Sequence, residues 1–212
     1  IFGHPAEMDE IMKIAREHKL TVIEDCAQAF GATSGGKVVG AIGDTGSFSF
    51  YPTKVLGCYG DGGMVTTNND TLNEHIRRLR NHGAARPFIH VEIGMNSRLD
   101  EVQAALLRLK LKRIKTDIAG RQQVAAEYTK RLSDTAVKCP PLPKHGTHAF
   151  NLYTVRVPKR DAVRQALTDA QIGTSQCYPQ GLHLQDVYKK LGYKPGSLPV
   201  CERATAETLS LP

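Results

Sequence analysis

"PAEMDEIMKIAREHKLTVIED", residues 5–25, changes its hydrophobic period near the end, and that change decides the fold class. Met8, Ile11, Met12 and Ala15 recur at i, i+3, i+4 and i+7, one face of a helix ending near Lys19. "TVIED" then has the length and β-branched content of a short buried strand with acids at its C-terminal end. A helix feeding a strand predicts a parallel α/β sheet, and such sheets bind ligands outside the carboxyl ends of their strands. Asp25 stands at that edge.

Further along, "GSFSF" (46–50) alternates like a strand, and "GGMVTTNND" supplies a second short strand leaving a glycine turn. Leu72, Ile76 and Leu79 line a helix stopping at Gly83, with a loop, "AARPFIHVEIGMN", after it. From Ser97 the pattern S-x-x-D resembles a capping box, and Leu99, Val102, Leu106 and Leu109 form one apolar helix face. Helical periodicity continues through Val124, Ala125, Tyr128 and Leu132, and "CPPLPKHG" is linker-like. Beyond it come a strand "FNLYTVRV", a helix "RDAVRQALTDAQ" with Val163, Ala166, Leu167 and Ala170 inward, and a strand "IGTSQCYP". This organisation predicts residues 1–117 as part of a larger domain and 118–212 as a smaller α/β domain.

A chain of 212 residues with 41% hydrophobic content accommodates one or two packed domains. It has no apolar run of about 18 residues, no basic-then-apolar leader and no lipidation signal, so the expectation is a cytoplasmic protein without a membrane partner. Five dispersed cysteines without C-x-x-C argue against a disulfide framework or a metal site. The net charge of +7 comes mainly from predicted helix surfaces, such as Arg77, Arg78 and Arg80 or Arg108, Lys110, Lys112, Arg113 and Lys115. They read as solvated faces because no aromatics interleave to stack nucleic-acid bases; an anionic small molecule fits the charge equally well. Neither G-x-G-x-x-G after a strand nor G-x-x-x-x-G-K-[ST] occurs.

The chemistry gathers around "GSFSFYPTKVLGCYGDGG", residues 46–63. A lysine among Phe50, Tyr51, Val55 and Leu56 either snorkels or has a task. The task that suits it is Schiff-base formation, which needs a neutral amine; about one free lysine in 10³ is neutral at pH 7. Asp25, at the strand end, either N-caps a helix or holds a protonated pyridine nitrogen by a charge-assisted hydrogen bond, worth about 1.5–3 kcal/mol. Gln28 lies three residues on. Ser47 and Ser49 share one strand face and offer hydroxyls to a phosphate, while "YGDGG" offers a turn with positive φ that brings backbone close to a ligand.

"VIEDCAQAFGATSGGKVVGAIGDTGSFSFYPTKVLGCYGDGGMVTTN" resembles the core signature of the DegT/DnrJ/EryC1/StrS family of nucleotide-sugar aminotransferases. "GMNSRLDEVQAALLRLKL", "NLYTVRV", "RDAVRQAL" and "YPQGLHLQ" match further family segments, in order and over nearly the whole chain. The resemblance implies a fold type I, aspartate-aminotransferase-like α/β homodimer that uses pyridoxal 5′-phosphate. It implies amino transfer, with glutamate as donor, to a UDP- or dTDP-linked keto sugar in amino-sugar biosynthesis. On that carry-over Lys54 binds the cofactor covalently and moves the proton, Asp25 holds the pyridine nitrogen, Gln28 lies against the ring or its 3′ oxygen and Ser49 binds phosphate. Asn96 and Arg98 reach the neighbouring subunit's site, towards phosphate and anionic substrate, and Tyr178 and His183 lie on the substrate side. Lys54 separates the chain from dehydratase relatives that carry histidine there, and "NSRLD" looks closer to members acting on 3-keto sugars.

Two departures accompany the match. Family members often read H-Y-P where this chain has Cys177-Tyr178-Pro179, and a thiol cannot replace an imidazole as a cationic group. The family also has a preceding segment with a Gly-Thr phosphate-binding turn and a stacking aromatic, which this chain lacks. The expectation is therefore a fragment of an active enzyme, truncated at both ends. The rival expectation is a non-catalytic regulatory or assembly protein that keeps the fold.

Overall fold

The protein is described by a computed structural model covering residues 1–212. Helix α1 (Met8–His18) closes where Lys19 turns left-handed at φ 52°, letting the Leu20 N–H donate to Ala15 O at 2.8 Å. Of the expected apolar face, Met8 and Ala15 are buried, whereas Ile11 is exposed.

Strand β1 (Ile23–Asp25) follows as expected, then a small antiparallel pair, β2 (Thr33–Ser34) and β3 (Lys37–Val38). Strand β4 (Thr45–Ser49) runs parallel to β1, with Glu24 opposite Gly46 and Asp25 opposite Ser47. Strand β5 (Gly63–Thr66) returns antiparallel on the other side of β4, placing Gly63 opposite Ser49. A Cβ on Gly46 would lie 2.4 Å from the Cα of Gly40, so glycine lets β4 meet the 40–43 turn backbone to backbone.

Helix α2 (Asp70–Leu79) is capped by Asn69, whose Oδ1 accepts the Leu72 N–H at 3.0 Å. The stretch expected to be a loop contains a bulged hairpin, β6 (Ala84–Arg86) and β7 (Ile89–His90). Glu92 fastens the segment to α2, accepting from Arg78 Nε at 2.7 Å and His75 Nε2 at 2.6 Å. Helix α3 (Glu101–Leu111) is N-capped by Asp100 without a side-chain bond, so the expected capping box from Ser97 does not form. Its buried residue is Leu107; Val102 and Leu109, on the expected core face, are 71% and 61% exposed.

Helix α4 (Ile114–Leu132) continues the helical stretch, and β8 (Gly146–Thr147) pairs antiparallel with β2. Two clusters fill this part of the molecule. One joins Cys26, Ala29, Ala32, Val39, Val55 and Ala149; the other joins Phe50, Leu56, Cys58 and Leu107. Fully burying a Phe or Leu side chain contributes about 1.5–3 kcal/mol, so the residues flanking Lys54 anchor its loop.

Next come β9 (Tyr153–Arg156), α5 (Arg160–Asp169), α6 (Pro199–Glu207) and β10 (Thr208–Leu211), with β9 and β10 antiparallel. The expected strand "IGTSQCYP" reduces to one bridge between Ser175 and Ser210, because Gly173 and Pro179 punctuate it. On α5, Val163 and Leu167 are half-buried, but Ala166 and Ala170 face outward. The chain forms two compact units, Ile1–Gln122 with Leu142–Asn151, and Gln123–Pro141 with Leu152–Pro212; the sequence reading divided it at 117. No helix is long and apolar enough to cross a membrane.

Candidate active site

Adjacent acids on β1 point to opposite faces, as strand geometry requires. Glu24 is buried, and its carboxylate accepts backbone N–H groups from Gly40 (2.8 Å), Ile42 (2.8 Å) and Gly43 (2.7 Å). Asp25 is exposed at the carboxyl end of the strand, its Oδ1 accepting the Ala27 N–H at 3.0 Å. One acid holds the fold and its neighbour faces outward. Glu24 was not singled out from sequence, although the alternation of a buried strand and the glycines of "VVGAIGDTG" were the available signal.

Next to Asp25, the Ser47 hydroxyl donates to Glu24 O at 3.1 Å, so Ser47 is committed to tying β4 to β1. Ser49, at the carboxyl end of β4, is half-buried, and its Oγ accepts the Tyr51 N–H at 3.3 Å. Asp25 and Ser49 therefore end two neighbouring parallel strands, at the edge where α/β sheets bind ligands.

Lys54 sits at the crest of a loop closed by the Cys58 N–H donating to Phe50 O at 2.8 Å. The Lys54 N–H donates to Tyr51 O at 2.9 Å, tightening the crest into a turn. The residues at the base, Phe50, Val55, Leu56 and Cys58, are buried, while Lys54 itself is half-buried. Gly57 permits this shape because a Cβ there would lie 2.5 Å from Pro52 O. Only Gly60 in "YGDGG" takes positive φ, 152°; at Gly62 a Cβ would meet the Leu99 side chain, with Cδ1 at 2.9 Å.

Helix α3 braces the same loop. Gln103 clamps Tyr59 through both its amide atoms, accepting from the N–H at 2.8 Å and donating to the carbonyl at 2.9 Å. Lys110 Nζ donates to Gly57 O. Lys110 thus leaves the solvated face expected of it. Gln103 and Lys110 are seven residues apart, two helical turns on one face, a spacing legible in the sequence only once their common target is known.

Gln28 Oε1 accepts the Phe2 N–H at 2.6 Å, placing this amide in the turn after β1. Asn96 and Arg98 are exposed; Asn96 bridges Asn81, and Arg98 Nη1 donates to Asn81 Oδ1 at 2.9 Å. In the second unit Tyr178 is exposed, and His183 is buried with its Nε2 donating to Glu202 at 3.1 Å. Burial first, then the charges of Glu24 and Asp25, push the Cys26 thiol up to about 12, which leaves it a packing group beside the site.

The model of the DegT/DnrJ/EryC1/StrS aminotransferase family matches residues 1–212. The chain belongs to this family. Among its relatives, a "Pleiotropic regulatory protein" of Geobacillus stearothermophilus is 46% identical over the whole chain, which spans 58% of that protein. A dTDP-3-amino-3,4,6-trideoxy-alpha-D-glucose transaminase of Micromonospora megalomicea subsp. nigra is 41% identical, again with the whole chain spanning 58% of it. The solved structure of S. venezuelae DesV in complex with a ketimine intermediate superposes with a TM-score of 0.96 at 40% identity, covering all of this chain and 57% of DesV. The family fold is thus the α/β architecture of the fold type I aminotransferases, and the chain spans under two thirds of the length of these family members.

The residues present fit pyridoxal phosphate. A carboxylate and a hydroxyl stand at adjacent strand ends of one small sheet, and a half-buried primary amine is carried on the loop that follows the second of these strands. The group needs one covalent partner, one anion for its ring nitrogen and donors for its phosphate.

Proposed function

We propose that the protein is a pyridoxal-phosphate-dependent aminotransferase that moves an amino group from glutamate to the keto carbon of a UDP- or dTDP-linked sugar, the resemblance of "NSRLD" favouring a 3-keto sugar. The observation that carries this reading is Lys54, held on a braced loop beyond strand ends bearing Asp25 and Ser49, in a chain matched throughout by the family. The cofactor, when bound, supplies an electron sink that stabilises negative charge at the carbon losing its proton.

Each residue has a role in that reaction. Lys54 holds the cofactor through Nζ and, when released, carries the proton to and from the reacting carbon. The Asp25 carboxylate keeps a proton on the ring nitrogen, a charge-assisted bond stronger than a neutral one. Gln28 orients the ring and the Ser49 hydroxyl donates to phosphate. Asn96 and Arg98 complete the site of a second copy in a homodimer, Asn96 at phosphate and Arg98 at the anionic substrate, while Tyr178 and His183 serve the sugar nucleotide. The setting is cytoplasmic amino-sugar synthesis for a surface polysaccharide or a glycosylated metabolite.

The test is spectroscopic, on the whole protein. Adding pyridoxal phosphate is expected to give a visible absorbance band that glutamate shifts and Lys54→Ala abolishes, with aminated nucleotide sugar detected by mass spectrometry. A Lys54→Ala protein that keeps the same band and turnover refutes the reading. The name of the Geobacillus relative favours a second reading, a regulatory protein retaining the fold. A folded protein with no band and no response to glutamate selects it.

A further inference from the structure

The side chain of Gln28 is held by backbone far from it in sequence. Residues 1–4 form a turn in which the His4 N–H donates to Ile1 O at 3.0 Å, and from this turn the Phe2 N–H donates to Gln28 Oε1 at 2.6 Å. A backbone N–H can only donate, so the carboxamide atom that meets it is the oxygen and Nε2 is the donating end. Gln28 itself stands three residues beyond Asp25, in the turn that leaves the carboxyl end of β1.

The turn is left-handed at two consecutive residues, Phe2 at φ 59° and Gly3 at φ 108°. A phenylalanine keeps such a conformation only where its surroundings impose it, and residues held this way gather at ligand sites. Gly3 supplies the constraint. Its O accepts the Ala149 N–H at 2.9 Å, and a Cβ there would lie 2.6 Å from Phe150 N and 2.8 Å from Asn151 N, so the turn rests backbone to backbone on 149–151. Phe150 is left-handed too, at φ 46°, and α4 fastens it: Arg121 Nη1 donates to Phe150 O at 2.9 Å and Gln122 Nε2 to His148 O at 3.0 Å. A strap thus runs from α4 through 148–151 and Gly3 to Phe2, and its end is the amide of Gln28.

We propose that Phe2 and Gly3 are positioning residues for the cofactor: the Phe2 N–H fixes the Gln28 amide so that Nε2 is the end that meets pyridoxal phosphate, as a donor to its 3′ oxygen. This role rests on the pyridoxal-phosphate site proposed above and adds what sets the orientation of one of its residues. A side chain fixed before the ligand arrives has less rotamer freedom to lose on binding, so the strap acts on cofactor affinity. The phenyl ring of Phe2 has no part in it; the backbone N–H and the path of Gly3 carry the effect.

The test is a double-mutant cycle on the whole protein, read as the dissociation constant for pyridoxal phosphate by absorbance titration, with urea midpoints recording the fold. Gly3→Ala, strained at φ 108° and pressed against Phe150 N, is expected to weaken binding about tenfold, the size of one hydrogen bond, and Gln28→Leu by about as much. The double variant is expected to bind no more weakly than Gln28→Leu alone, because the strap acts through that amide. Phe2→Gly keeps the N–H and takes φ 59° without strain, so it is expected to bind as the wild type does. Should Gly3→Ala not fold, Arg121→Met, which loosens the strap at Phe150 O, goes through the same cycle and is judged by the same outcomes. Wild-type affinity in a folded Gly3→Ala protein, losses that multiply in the double variant, or a tenfold loss in Phe2→Gly overturns the proposal while the role of Lys54 stands. A wild type that binds no pyridoxal phosphate overturns both.

Discussion

Glu24 and Asp25 are consecutive residues on a strand of three, yet one is enclosed by three backbone N–H donors and the other is exposed at the sheet edge. The buried acid fixes the 40–43 turn against β4; the exposed one is free to serve a ligand. Removing the Glu24 carboxylate strands donors in the interior, and each orphaned donor costs about 1–3 kcal/mol. Glu24→Ala is expected to lower unfolding free energy by about 3 kcal/mol in urea titrations, whereas Asp25→Ala is expected to leave stability within about 1 kcal/mol and impair cofactor binding.

Gly57 controls where Lys54 stands. Since a Cβ would lie 2.5 Å from Pro52 O and 2.7 Å from Tyr51 O, Gly57→Ala must push the crest away from its base. A misplacement of about 1 Å can cost a catalytic group about 10² in rate. The expected outcome is a folded protein whose affinity for pyridoxal phosphate, read by absorbance titration, falls by about tenfold or more.

His148 supplies a pH dependence. It is buried, stacks on Phe150 with ring centroids 3.9 Å apart, and accepts the Phe150 N–H on Nδ1 at 2.9 Å. Burial first, then the charge of His4, lowers it from 6.5 to about 4. The unfolded chain therefore binds a proton that the folded one refuses over this range, so the contribution is complete above about pH 6.5 and lost as pH falls towards about 4. Urea midpoints are expected to drop across that window by the equivalent of about 3 kcal/mol, and His148→Gln is expected to flatten the drop.

Arg160 is the buried cation of the second unit. Nη1 donates to Thr205 O at 3.1 Å and Thr208 O at 2.9 Å, joining α5 to the end of α6 and the start of β10. Arg160→Met is expected to cost about 3 kcal/mol by thermal or urea unfolding, and Arg160→Lys to recover little of it, since an ammonium lacks the planar fork.

The legible parts of the fold were those carried by short-range pattern. The period change between Ala15 and Ile23 placed α1 and β1, and the Phe alternation placed β4. The hairpin at Ala84–His90 was missed because its strands are two and three residues long, too short for alternation to register. Periodicity also says which residues share a face, not what covers it. Val102 and Leu109 lie on the predicted face of α3 and are exposed, while Leu107 packs inward. At the site, Lys54 and Asp25 could be nominated by residue type and context. Glu24 was passed over although strand alternation and the glycines at 40 and 43 pointed to it, whereas Gln103 and Lys110 could not be nominated, because their partners are distant in sequence and defined only by backbone atoms.

The return of Leu142–Asn151 to the first unit has a practical corollary for anyone recombining relatives of this chain. Neither unit is a contiguous gene segment, so a single crossover in α4 delivers the second unit together with a foreign β8, the strand that pairs with β2. Chimaeras joined in α4 should therefore be designed with two junctions more, at Pro141–Leu142 and Asn151–Leu152, so that β2 and its partner strand are inherited from one parent.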